Sequence, residues 1–170
     1  IDMIIRPFNS GDAKTFYRWY HDKRLSHFYR GFIYGVSLEQ CKNAVDLLKG
    51  HILVGLHPET CEPVGAVTLA DRDRILRVYK LGLLVDPDHQ HQNYGKDLLT
   101  YGLKWAFETM NAHRVVAEVI CEDDRTMNGV RKAGFIAEGL SRQTMYLDGK
   151  YYDEAVFSML RPDYERVKNG

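Results

Sequence analysis

Residues 81–99 read LGLLVDPDHQHQNYGKDLL. The run Leu81 to Val85 has the apolar character of a strand, stops at Asp86-Pro87, and gives way to a helix-like pattern through Leu98 and Leu99. Proline cannot donate to a sheet ladder, so the chain leaves the sheet there. Three readings of the polar connection compete: a surface turn, a metal site on His89 and His91, or an anion-binding loop at a helix N-terminus. In the third, the first-turn N–H groups of a helix beginning at Tyr94 point back toward the strand end and, with the helix dipole, seat a phosphate. Gly95 removes a Cβ where a ligand approaches most closely, and Asn93 is the non-glycine residue best suited to a left-handed conformation. Gln92, Asn93 and Lys96 add side-chain donors. Spacing fixes no third ligand near His89 and His91, so no metal is expected.

Downstream, YGKDLLTYGLKWAFETMN places Leu99, Leu103, Ala106 and Met110 on one helical face. HRVVAEVI then reads as a strand able to pair in parallel with LGLLV through a right-handed crossover. EDDRTMNGVRKAGF reads as a helix capped by Asp123 or Asp124, with Arg131 and Lys132 in its last turn and Gly134 as its stop. Asp148-Gly149 is a hairpin signal between two strands in RQTMYLDGKYYDEAVFSML.

Upstream, MIIRPFN is a short strand and NSGD caps a helix through AKTFYRWYHDK. SHFYRGFIYG has the aromatic, glycine-punctuated character of a loop. SLEQCKNAVDLLKG reads as one complete helix, with a Ser37/Gln40 capping box, an Ala44, Leu47, Leu48 stripe and Gly50 as its close. HILVGL, EPVGAVTLA and RILRVYKLGLLV form a three-strand meander, in which Gly82 suggests a bulge or a close backbone approach. The order of elements implies a single α/β (α+β) domain over residues 1–170, with a mixed central sheet flanked by helices.

Twenty-three basic residues balance twenty-three acidic ones, so no global field draws in nucleic acid or an anionic membrane. Cys41, Cys61 and Cys121 fit neither a disulfide framework nor a CxxC knuckle, which suggests a reducing cytoplasm. No apolar run approaches the roughly 20 residues that span a bilayer, and the first residues lack a signal-peptide core.

VDPDHQHQNYGKDLL resembles the strand end and pyrophosphate loop of the GNAT N-acetyltransferases, whose pattern is Gln or Arg, two residues, Gly, one residue, then Gly or Ala. Gln90 matches the first position and Gly95 the last, while Asn93 replaces the middle glycine. IIRPFNSGDAKTFYRWYHD, the SLEQC helix, HRVVAEV, RKAGF followed by AEG, and GKYYDEAVFSML extend the likeness over nearly the whole chain. They are similar to the ribosomal-protein and spermidine acetyltransferase branch.

The resemblance implies the acyl-CoA N-acyltransferase fold, with acetyl-CoA in a cleft where two central parallel strands splay apart. It implies backbone contacts from Leu83, Leu84 and Val85 to the pantetheine arm, and from Gln90, His91, Gln92, Asn93, Tyr94, Gly95 and Lys96 to the pyrophosphate. Asp123 stands where the family often has an Asn that touches the cofactor, although a helix N-cap is an equally good role. The early helices would wall the site of a primary amine, either a peptide N-terminus or a small amine. A homodimer is compatible with this branch.

Direct transfer needs a neutral amine and a leaving thiolate. Where many relatives carry a Glu on the long fourth strand, this chain has Lys80; where many carry a Tyr in the helix before Gly-Phe, it has Val130. Glu118, a carboxylate in an apolar strand, is the candidate base, and Thr126 a candidate proton donor or cap. In the acceptor segment, Lys23, Arg24 and Arg30 outnumber Asp22, which argues against a polycationic acceptor. The rival reading is a non-catalytic acyl-CoA-binding sensor or scaffold of the same fold.

Overall fold

The computed structural model describes residues 3–26 and 35–170, so most of the aromatic stretch expected as a loop lies outside the described residues. The chain runs β1 (Ile4–Pro7), a 3-10 turn (Ser10–Asp12), α1 (Ala13–Tyr20), α2 (Lys23–Ser26), α3 (Leu38–Lys42), α4 (Ala44–Leu48), β2 (Gly50–Leu56), β3 (Pro63–Asp73) and β4 (Val78–Val85). A second 3-10 turn (Pro87–His89) leads to α5 (Tyr94–Lys104), a π turn (Trp105–Thr109), β5 (Arg114–Ile120), α6 (Asp124–Lys132), β6 (Ile136–Leu147), β7 (Lys150–Leu160) and α7 (Arg161–Asn169). The strands form a seven-stranded mixed sheet in the order β1-β2-β3-β4-β5-β7-β6. Val78, Tyr79 and Lys80 of β4 face Arg114, Val115 and Val116 of β5 in parallel, so the expected β-α-β unit forms, with its register on the residues just before the LGLLV run expected to carry it, whereas β1/β2, β5/β7 and β6/β7 are antiparallel.

Two compact units divide the chain: residues 1–68 with 83–98, and residues 69–82 with 99–170. The first is built on an aromatic and aliphatic core in which Phe16, Trp19, Val54, Ala66 and Leu84 are buried. Phe16 packs 5.1 Å from both Phe8 and Trp19, centroid to centroid. Asn9 caps the first 3-10 turn, and buried Asp12 pairs with the half-buried Arg6.

The Ser37/Gln40 capping box forms as expected, but the helix it opens is not continuous. Asn43 departs from helical geometry at φ −99°, ψ 22°, and its side chain donates to the Glu39 carbonyl, a local bond that competes with the helical ladder. Lys49 at φ 55°, rather than Gly50, takes the left-handed closing position, and Gly50 opens β2. Close backbone approach falls at Gly65 of β3: a β-carbon there would stand 2.5 Å from the Leu84 carbonyl oxygen.

In the second unit, the expected long helix turns into a π turn at Trp105, where the Met110 N–H reaches back five residues to the Trp105 carbonyl. The extra residue per turn moves the buried face onto Ala106 and Phe107 and leaves Met110 only half-buried. Phe107 stacks on Tyr164 of α7 at 4.8 Å. Asp148 and Gly149 both have positive φ, 49° and 82°, as the two-residue hairpin requires. Gly134 ends α6 at φ 99°.

Candidate active site

In the first unit, β4 ends with Leu83 and Val85 half-buried and Leu84 in the core. A side-chain network then fixes the exit. Asp86 is almost fully buried, and its Oδ2 accepts from Trp19 Nε1 and from an Arg18 guanidinium nitrogen, each at 2.8 Å. Its Oδ1 accepts the Asp88 N–H at 2.8 Å, and its own N–H donates to the Val64 carbonyl. Burial alone would raise the Asp86 pKa, but the bonds from Trp19, Asp88 and Arg18 outweigh it and hold the carboxyl below its ordinary 3.8. Sequence reasoning missed Asp86; its signal was a carboxylate closing an apolar strand directly before proline.

Beyond the 3-10 turn, His91 and Asn93 both lie at φ 65°, so Asn93 takes the left-handed conformation expected of it and His91 adds a second such residue. His91, Gln92, Asn93 and Lys96 are exposed, and Gln90 and Gly95 are half-buried. Tyr94 is buried, with its ring 6.1 Å from His89 and 6.4 Å from His57, so its side chain anchors the loop. The Asp97 N–H donates to the Asn93 carbonyl at 3.1 Å, which places the start of α5 at the loop. Two left-handed residues, a helix N-terminus and a glycine are backbone features of the kind that hold a phosphate anion. No group of three or more His, Cys, Asp or Glu able to hold a metal occurs among the described residues.

The second unit carries the other candidates. Glu118 on β5 pairs with Arg72 at 2.7 Å and with Lys80 at 3.2 Å. Burial pushes its pKa up, but the charges of Lys80 and Arg72 and their hydrogen bonds prevail and hold it below 4.5. Lys80, at the position where the resemblance implies a Glu, is thus the cationic partner of a carboxylate one strand over. Asp123 caps α6: its Oδ1 accepts the Thr126 N–H at 3.2 Å and its Oδ2 accepts the Thr126 hydroxyl at 2.6 Å. The Val130 side chain is buried.

A family model described as the acetyltransferase (GNAT) domain matches residues 2–136. The chain is 23% identical over 167 residues to an uncharacterized N-acetyltransferase of Bacillus subtilis, YoaA, covering 94% of each. It is 24% identical over 101 residues to the spermidine N(1)-acetyltransferase of Vibrio cholerae, covering 59% of this chain and 58% of that relative. Among solved structures, the spermidine N-acetyltransferase from Vibrio cholerae in complex with CoA and spermine matches the fold with a TM-score of 0.84 at 18% identity, over 96% of this chain and 98% of that one. With most of its length inside the family model, the chain belongs to the GNAT acetyltransferase family and is an N-acetyltransferase.

Proposed function

We propose that this chain moves the acetyl group of acetyl-CoA to a primary amine by direct attack, as a single domain of the ribosomal-protein and spermidine acetyltransferase branch. The observation that carries the cofactor reading is the loop: left-handed His91 and Asn93 lead directly into α5, with Gly95 in its first turn. Backbone groups of Leu83, Leu84 and Val85 would hold the pantetheine arm. Those of Gln90 through Lys96 would hold the pyrophosphate, and Asp123 would lie along the arm while capping α6. When bound, acetyl-CoA supplies an acetyl group already activated as a thioester.

The acceptor's ammonium must lose a proton before it can attack, since an alkyl amine with pKa near 10 is mostly charged at neutral pH. Glu118 is assigned to draw that proton. Its ion pairs keep it ionised through the neutral range, the form a base requires, while lowering its affinity for the proton, so transfer onward to water completes the step. Thr126 is assigned as the donor to the departing CoA thiolate, passing on a proton that it regains from water, which requires its hydroxyl to exchange the bond it now makes to Asp123.

A small amine acceptor is supported by the spermidine acetyltransferases among the relatives. Arg24 pairs with Asp22 and Asp88, so the positive excess read from the acceptor segment shrinks, and with it the argument against a polyamine. Cys41, Cys61 and Cys121 are free, which suits the reducing cytoplasm where we place the protein.

A second reading, a non-catalytic acyl-CoA-binding module, is favoured by the engagement of both proton-transfer candidates in structural bonds. Thiol release from acetyl-CoA over a panel of peptide N-termini, polyamines and simple primary amines decides between them. Amine-dependent release supports the transferase. Acetyl-CoA binding with no release over the whole panel supports the module.

A further inference from the structure

Resting on the acetyl-CoA reading above, we propose that Asp86 is a positioning residue, which sets the binding conformation of the loop 90–96 by tying its entry to α1 and β3. Nothing about ending a strand calls for a buried carboxylate. Proline at 87 already takes the chain out of the sheet, and replacing buried ion pairs by apolar residues is often neutral or stabilising. What the carboxylate adds is direction. Its two oxygens accept from two different elements at once: Oδ2 from Trp19 and Arg18 of α1, Oδ1 from the N–H of Asp88 in the 3-10 turn. The Asp86 N–H is held by Val64 of β3, and its carbonyl accepts the His89 N–H at 2.9 Å, so every bond fixes the turn that launches the loop.

A few residues on, His91 and Asn93 adopt left-handed backbone angles that cost energy for non-glycine residues and persist only where the surroundings over-determine them. A second grip comes from α2, where Arg24 reaches Asp88 at 2.8 Å. Asparagine is no substitute at position 86. Whichever way its amide is turned, the NH2 end faces donors, either Trp19 and Arg18 or the Asp88 N–H.

The first unit contains a matched control. Asp12 is similarly buried and accepts from Arg6 through both oxygens at 2.7 Å and from the Asn9 N–H at 2.9 Å, but it serves the β1–α1 turn and not the loop. Acetyl-CoA affinity by calorimetry, KM, kcat and thermal midpoint are measured for wild type, Asp86→Asn, Trp19→Phe, the double variant and Asp12→Asn. Asp86→Asn and Trp19→Phe are expected to weaken acetyl-CoA binding and raise its KM by about tenfold, the scale of losing a charge-assisted hydrogen bond, with the double variant little worse than Asp86→Asn alone. Asp12→Asn is expected to lower the thermal midpoint and leave acetyl-CoA affinity within about twofold of wild type, since the bonds it loses hold another turn. If Asp86→Asn does not fold, Trp19→Phe, which deletes one donor and keeps most of the ring volume, carries the same comparison. Unchanged acetyl-CoA affinity in folded Asp86→Asn or Trp19→Phe, or an equal loss in Asp12→Asn, overturns the positioning role. Wild-type protein that fails to bind acetyl-CoA overturns the cofactor reading instead.

Discussion

Gly95 faces Val85: a β-carbon built at Gly95 would stand 3.3 Å from Val85 Cγ2 and 3.8 Å from Leu83 Cδ2. The absent side chain therefore lets the first turn of α5 close onto the end of β4, bringing together the two stretches assigned to the cofactor. A methyl group needs only a few tenths of an ångström from the flexible Val85 side chain. A carboxylate needs far more room, and it puts negative charge where a pyrophosphate would sit. Gly95→Ala is expected to fold and keep most of its acetyl-CoA affinity, whereas Gly95→Glu is expected to fold and lose binding, both read by calorimetry beside circular dichroism. Wild-type affinity in a folded Gly95→Glu protein would remove the loop from the site.

Gly65 answers to a stricter constraint. Its β-carbon would meet the Leu84 carbonyl oxygen at 2.5 Å and Leu98 Cδ1 at 2.7 Å, and the first of these is backbone within a strand. Gly65→Ala is expected to cost about 1–3 kcal/mol of stability, the range for overpacking a well-filled interior. Because Leu84 belongs to the stretch assigned to the pantetheine arm, acetyl-CoA affinity should fall with it. A thermal midpoint equal to wild type would show that β3 and β4 can separate at this point.

How much of this was legible in the sequence follows the range of the interactions. The Ser37/Gln40 box, the Asp148-Gly149 turn, the left-handed Asn93 and the Asp123 cap are bonds within a few residues, and each is written in adjacent letters. The break at Asn43 is local as well, but it depends on whether an amide side chain bonds the backbone or solvent, which the letters leave open. Trp19 and Arg18 meet Asp86 across 67 and 68 residues. Arg72 meets Glu118 across 46. Only the folded sheet creates those pairs, so a lone carboxylate in an apolar strand was visible at Glu118 while the cations that govern its acidity were not.

Several carboxylates are held below their ordinary pKa values by such partners. Burial opposes ionisation of Asp12 and Asp86, yet the hydrogen bonds and charge of Arg6 for one, and the bonds from Trp19, Asp88 and Arg18 for the other, leave both lowered from 3.8. A folded-state pKa below the unfolded value contributes stability that is complete above the unfolded value and is lost as pH falls through the folded one. The thermal midpoint is therefore expected to hold from neutrality to about pH 5 and to drop increasingly below about pH 4. Asp12→Asn and Asp86→Asn should each start lower and fall less steeply in that acid range. Parallel acid limbs in wild type and both variants would show that these carboxylates do not carry the acid transition.

Glu118 gives the sharpest test, because its ion pairs permit two roles with different pH signatures. As acceptor of the amine proton, it matters most where the acceptor is an ammonium and least where the amine is already neutral. Glu118→Gln is then expected to slow turnover about a hundredfold at neutral pH, with the loss shrinking as pH approaches the amine's own pKa. As a counter-ion, it matters because Arg72 and Lys80, 2.7 Å and 3.2 Å from its two carboxylate oxygens, would otherwise be left as two positive charges with no negative one between them. The loss would then be the same at every pH, and Lys80→Met added to Glu118→Gln would restore turnover by removing one unbalanced cation. The two substitutions separate the roles because Lys80→Met can rebalance charge but supplies no group able to take a proton. A pH-dependent loss that Lys80→Met fails to repair supports Glu118 as the base; a uniform loss repaired by it returns Glu118 to the sheet as the partner of Lys80, and leaves water to receive the proton.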